Sequence, residues 1–127
     1  MANTDHYRFS DTHEWFNQQG NVITVGLSKF AVDELTDITY VEMKPVGTAI
    51  KPGSSVGEVE SVKTTSEIYS AISGTVCEIN QDVVKDPSLL NSDPYDKGWL
   101  IRIKTDDTAP LQNLMDNATY QRKHPVG

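Results

Sequence analysis

The chain has one cysteine in 127 residues. Cys77 therefore has no internal disulfide partner, and neither a paired-cysteine zinc knuckle nor a dithiol redox motif can be written from the sequence. Any redox chemistry must be borrowed. Positive charge is also scarce: 11 Lys and Arg against 18 Asp and Glu give a formal charge of −7 and a pI near 4.8. That balance argues against the basic face that phosphate binding requires, so no nucleic acid is expected and protein partners fit better. His6, His13 and His124 are scattered. They form no His-x-x-x-His pair or Ser-His-Asp order, and no glycine-rich loop opens a helix, so the chain is not expected to be an enzyme by itself. The N-terminus, M-A-N-T-D-H-Y-R-F-S, has neither the apolar core of a secretion signal nor the arginine-rich pattern of a transit peptide. A cytoplasmic protein with no membrane segment is expected.

What is present suits one domain, residues 1–127, long enough to bury a modest core without disulfides. The central stretch is V-G-E-V-E-S-V-K-T-T-S-E-I-Y-S-A-I, Val56 to Ile72. Glu58–Ser61 and Glu67–Ser70 alternate and carry β-branched and aromatic residues, which predicts two strands. Lys63 lies between them at a hairpin tip, its ammonium directed into water. The tip lacks the Asn-Gly or Asp-Gly pair of a tight turn. On this spacing alone Lys63 reads as a solubilising charge that keeps strands from mispairing.

Around it, Tyr7–Phe9 reads as a short strand after a polar, fraying terminus. His13–Phe16 and Val22–Val25 read as a strand pair joined by the five-residue loop N-Q-Q-G-N. Ser28 offers an N-cap for a helix over 28–35 with Phe30, Ala31 and Leu35 on one face. Thr39–Met43, Gly47–Ile50, Thr75–Ile79 and Gly98–Lys104 read as further strands, with a Pro52-Gly53 turn between the second and the hairpin. Cys77 reads as a small packed side chain and Trp99 as core. Residues 81–97 read as a structured loop with a helical turn, anchored by Leu89-Leu90. After Pro110, the spacing of Leu111, Leu114, Met115 and Ala118 predicts a C-terminal amphipathic helix packed on the sheet, followed by a mobile tail over 122–127.

Gly47 lies sixteen residues before Lys63, Glu60 three before it and Gly74 eleven after it. This pattern resembles the domains in which a lysine carries lipoate or biotin. The fuller string, G-E-V-E-S-V-K-T-T-S, then S-G-T-V and N-S-D-P-Y-D-K-G-W-L-I-R-I, resembles the H protein of the glycine cleavage system. The likeness runs from His13-Glu14-Trp15 through Val25-Gly26 and Asp37-Ile38 to the tail after Pro110, and its specificity lies in the order of these motifs.

The resemblance implies a mainly β fold, a barrel-sandwich hybrid of the lipoyl and biotinyl carriers with short flanking helices and a C-terminal helix. A faint echo between Gly47-Thr48…Val56 and Gly74-Thr75…Val83 fits that duplicated architecture. It further implies a non-catalytic carrier with lipoate joined to Lys63. Its partners would be the pyridoxal-phosphate glycine decarboxylase, the folate-dependent aminomethyltransferase, dihydrolipoyl dehydrogenase and the lipoate-attaching enzyme. Glu60, Gly47 and Gly74 would serve recognition during attachment, and Glu14, Thr12 and Glu67 would dock the loaded arm, sheltering it from water. Three positions depart from the family: Thr36 where glycine is common, Ala71 where proline is common, and Glu67 where aspartate is usual. Biotin carriers are the nearest rival, but their lysine sits between methionines, whereas Lys63 is flanked by Val62 and Thr64. An H-like protein relaying lipoate to other enzymes and an unmodified β-barrel interaction module are the remaining alternatives.

Overall fold

The computed structural model describes residues 6–124. Seven strands pair antiparallel into one sheet: β1 (Arg8–Phe9), β2 (Glu14–Gln19), β3 (Val22–Leu27), β5 (Ala49–Ile50), β8 (Gly74–Ile79), β9 (Ile101–Lys104) and β10 (Met115–Asp116). Their order is β10-β1-β2-β3-β9-β8-β5. A second sheet holds β4 (Ile38–Met43), β6 (Ser55–Ser61) and β7 (Thr65–Tyr69), with β6 central. Period-two alternation turns Phe16, Ile23 and Val25 of the first sheet toward Val41, Val59 and Ile68 of the second, and all six are buried in one core. The fold is a mainly β barrel-sandwich hybrid with short helices α1 (Lys29–Leu35), α2 (Gln81–Lys85), α3 (Ser88–Ser92) and α4 (Asn117–Lys123).

β2 is buried on both faces at its start, through Glu14, Trp15 and Phe16, and His13 just before it is half-buried. Trp15 joins Tyr7, Phe9 and Tyr120 in a second, aromatic cluster. Tyr7 stacks on Trp15 at 4.7 Å and Phe9 on Tyr120 at 4.4 Å. Gly26 pairs with Trp15 across the strands, and a Cβ there would lie 2.5 Å from the indole, which accounts for the glycine.

Several expectations need correcting. The N-Q-Q-G-N stretch is no five-residue loop: β2 continues through Gln19 and the chain turns on Gly20-Asn21, Gly20 having φ +62°. Residues 81–97 hold two short helices, anchored by Val83 as well as Leu90. Cys77 is exposed rather than packed, because β8 turns Val76 inward and Cys77 outward. The helix foreseen after Pro110 is divided into a 3-10 turn at Ala109–Asn113, then β10, then α4. Met115 and Asp116 pair with Phe9 and Arg8, so long-range strand pairing overrides the helical spacing. Asp116 then caps α4 by accepting the Thr119 N–H. Arg122 and Lys123, placed in the mobile tail by the sequence, belong to α4. The imidazole of His124 stands edge-on to His13 at 4.8 Å. Residues 125–127 of that tail, and the first five residues of the chain, lie outside the described residues.

Candidate carrier site

The β6–β7 hairpin closes with the Ser61 N–H donating to the Thr64 carbonyl at 2.8 Å, leaving Val62-Lys63 as a two-residue connection. Such connections favour turns with positive φ. Among the described residues the only non-glycine positive φ values belong to His13 and Thr36, so this tip has none. The Ser61 hydroxyl compensates, accepting the N–H groups of Lys63 and Thr64 at 3.1 and 3.2 Å. Support also comes from outside the hairpin. The Val62 N–H donates to the Asp37 carbonyl at 3.1 Å, and Thr39 Oγ1 donates to the Glu60 carbonyl at 3.2 Å.

Lys63 is exposed, yet its ammonium does not stand free in water as the sequence suggests. Nζ donates to the Glu34 carbonyl at 2.9 Å. Glu34 lies in the last turn of α1, where backbone carbonyls lack helical partners and the helix dipole favours a cation. Beside this contact is a hollow of about 450 Å³ lined by Thr12, His13, Leu27, Phe30, Ala31, Glu34, Leu35 and Ser66. Glu34 belongs to both, so the hollow opens next to the lysine. Its α1 wall is mainly apolar, and its rim on the β2 and β7 side is polar.

Glu14 is 1% exposed. Its Oε1 accepts hydrogen bonds from the hydroxyls of Ser10, at 2.6 Å, and of Thr12, while Oε2 accepts the Tyr69 N–H at 3.0 Å. The carboxyl thus ties β2 to β7 across the two sheets. Burial pushes its pKa above the usual glutamate value, and hydrogen bonds from Ser10, Thr12 and Tyr69 oppose that rise. Next to it, His13 adopts φ +75° and its Nδ1 lies 2.8 Å from the Tyr120 hydroxyl. That hydroxyl is 2.7 Å from Ser28 Oγ, which caps α1. Burial, then the charge of His124, lowers the His13 pKa, and burial pushes the Tyr120 phenol up to about 12.

The residues singled out by sequence thus fall into separate places. Thr12 and Glu14 are in contact, and Thr12 lines the hollow. Glu67 lies on the outer face of β7, accepts a hydrogen bond from the Ser55 hydroxyl, and borders a different hollow with Glu42 and Glu58. Glu60 sits in the three-stranded sheet between Tyr40 and Thr65. Gly47 and Gly74 adjoin or belong to the other sheet. The Gly47 N–H bonds the Val76 carbonyl, and a Cβ on Gly74 would come within 2.3 Å of the Lys104 carbonyl oxygen. Glu34 and Ser66 were not singled out, and His13 only as part of the His13-Glu14-Trp15 motif. Alternation along β7 is the signal for Ser66, since it places residue 66 on the face opposite residue 67.

A barrel-sandwich of two sheets, with a lysine on a braced hairpin tip beside a partly apolar hollow, has the form of a swinging-arm carrier. Among the described residues no cluster of three or more His, Cys, Asp or Glu could hold a metal, and no helix is long and apolar enough to cross a membrane. The chain matches the family described as Glycine cleavage H-protein over residues 7–125. It is 44% identical over 122 residues to the glycine cleavage system H protein of Prochlorococcus marinus (strain MIT 9303), covering 96% of this chain and 95% of that one. To its counterpart in Synechococcus sp. (strain RCC307) it is 47% identical over 116 residues, covering 91% and 89%. The crystal structure of the Mycobacterium marinum H protein superposes with a TM-score of 0.86 at 30% identity, covering 98% of this chain and all of that one.

The chain belongs to the glycine cleavage H-protein family. It is a non-catalytic lipoyl carrier of the glycine cleavage system, which bears covalent lipoate and serves the glycine decarboxylase, the aminomethyltransferase and dihydrolipoyl dehydrogenase.

Proposed function

We propose that Lys63 is the residue that carries the lipoate, and that residues 1–127 act as a single carrier domain. The observation that carries this reading is the position of Nζ, 2.9 Å from the Glu34 carbonyl at the mouth of the 450 Å³ hollow. The residues suit the group: Leu27, Phe30, Ala31 and Leu35 offer apolar contact to a long aliphatic chain, and Thr12, His13 and Ser66 offer polar contact at its functional end. Held on Lys63, lipoate would supply a reducible disulfide able to accept an aminomethyl group and an electron pair as glycine loses carbon dioxide.

The chain's own residues position and shield. Phe30 and Leu35 exclude water from one wall of the hollow. Thr12, held by Glu14, presents a fixed hydroxyl at the rim, and the Glu14 carboxyl behind it favours a cationic amine nearby. Glu67 is left out of this docking set because it points to the opposite face of β7. Glu60, on the strand that leads into the tip, is assigned to recognition by the lipoate-attaching enzyme, with Gly47 and Gly74 acting through the sheet they help to close. We place the protein in the cytoplasm, a compartment that suits its single exposed thiol.

The intact mass of protein expressed with lipoate and its attaching enzyme tests this reading. A lipoyl increment on the native chain that is absent from Lys63→Arg supports it. An increment that survives the substitution, or none under conditions that modify another lipoyl domain, overturns it.

A further inference from the structure

Asn91, which the site described above does not include, is connected to it through a strained turn. At the exit of α1, Thr36 adopts φ +64° and ψ −136°. A β-branched residue holds that region only where its surroundings impose it. Asn91, on α3, supplies the constraint. Its Nδ2 donates to the Thr36 carbonyl at 2.7 Å, and its Oδ1 accepts the Ile38 N–H at 3.0 Å, so one carboxamide brackets the turn from both sides. The segment leading through this turn presents both carbonyls that hold the hairpin tip: Asp37 to the Val62 N–H and Glu34 to Lys63 Nζ. The tip has no positive-φ residue of its own and depends on such support.

We infer that Asn91 is a positioning residue for Lys63. Its carboxamide keeps Thr36 in the strained conformation that aims the Asp37 carbonyl at the tip, beside the Glu34 carbonyl at the end of α1, so the lysine meets the lipoate-attaching enzyme in one braced geometry. This rests on Lys63 as the attachment point. A residue at 36 that adopts positive φ without strain makes the bracket dispensable, so positions 36 and 91 are coupled, and the coupling is read at the tip, more than twenty positions away in sequence.

The experiment uses the full chain without lipoate, as wild type, Asn91→Ala, Asn91→Asp and Asn91→Ala/Thr36→Gly. Amide hydrogen exchange is followed at Ile38 and Val62, with the amides of β3 and β9 as the internal reference. Asn91→Ala is expected to leave only about a tenth of the tips braced, which removes nearly all protection at Val62, and to leave the reference amides unchanged. Asn91→Asp keeps the acceptor and loses the donor, so it falls between. Adding Thr36→Gly restores protection. Attachment kinetics with purified enzyme and lipoate supply the second readout. If only about a tenth of the Asn91→Ala chains present a braced tip, KM rises about tenfold at unchanged kcat, and Thr36→Gly reverses it.

Unchanged protection at Val62 overturns the inference, as does an equal loss at the reference amides, which makes Asn91 a global stability residue. Lost protection with unchanged KM removes the positioning role. If the wild-type chain takes up no lipoate, the assignment of Lys63 fails, whereas the exchange result still decides whether Asn91 braces the tip.

Discussion

The β2–β3 hairpin turns on Gly20-Asn21, and the β6–β7 hairpin turns on Val62-Lys63. Each connection has two residues, yet they close by different means. Gly20 takes φ +62° at the first central position, where a Cβ would meet no neighbour within 4 Å. Its backbone alone provides the twist that a two-residue hairpin favours. Val62 and Lys63 provide no such twist. The serine before them caps the turn, and the carbonyls of Glu34 and Asp37 hold it from the side. Under the attachment role proposed for Lys63, the residues of this tip answer to that chemistry rather than to turn chemistry, and the deficit is met by tertiary contact.

The contrast can be broken from either end. The largest effect is expected from Gly20→Ala, which puts a side chain in a left-handed conformation and should cost about 1–2 kcal/mol of global stability in urea unfolding. A negligible change would mean that the first turn is also held by its surroundings. Ser61→Ala removes the acceptor for two tip amides and should cost about 1 kcal/mol. That loss should appear mainly as faster exchange of the Lys63 and Thr64 amides rather than as a shift of the unfolding midpoint. If the midpoint moves as far as in Gly20→Ala, the second hairpin is as integral to the fold as the first.

The smallest effect concerns the carboxyl that joins the two hairpins, Glu14 on β2 bonded to Tyr69 on β7. Its pKa in the folded chain lies above the ordinary value of 4.5. Between those two values the folded state therefore holds more protons than the unfolded state, and stability falls as pH rises. The contribution is fully present below the ordinary value and lost once pH passes the raised one. Denaturant unfolding across that window should show wild type losing stability relative to Glu14→Gln as pH rises. The opposite slope would mean that the hydrogen bonds to Glu14 outweigh its burial.

Much of the fold was legible because the responsible signals are short-range. Alternation marked most of the strands, and Ser28 marked the start of α1. The order of motifs around Lys63 marked the carrier class. The strain at Thr36 was also foreseeable, since a β-branched residue stands where the chain needs a left-handed exit. Other features were hidden because partners distant in sequence decide them. The helical spacing of Leu111 to Ala118 is real, but Met115 and Asp116 find β1 more than a hundred positions earlier and pair with it. Nothing in the sequence marks Glu14, the first residue of β2, as a buried carboxyl until Tyr69 of the other sheet is seen to donate to it.

By itself, then, the sequence determined that this chain is a β carrier with a lysine between two strands, because side-chain periodicity and motif spacing act within a few residues of their origin. Only the tertiary structure decided where that lysine rests, which residues line the hollow beside it and what supports its turn. Glu34 lies 29 positions from Lys63, and Asn91 lies 55 from Thr36. Such contacts form only when burial of a common core has already brought the two sheets and the helices beside them together.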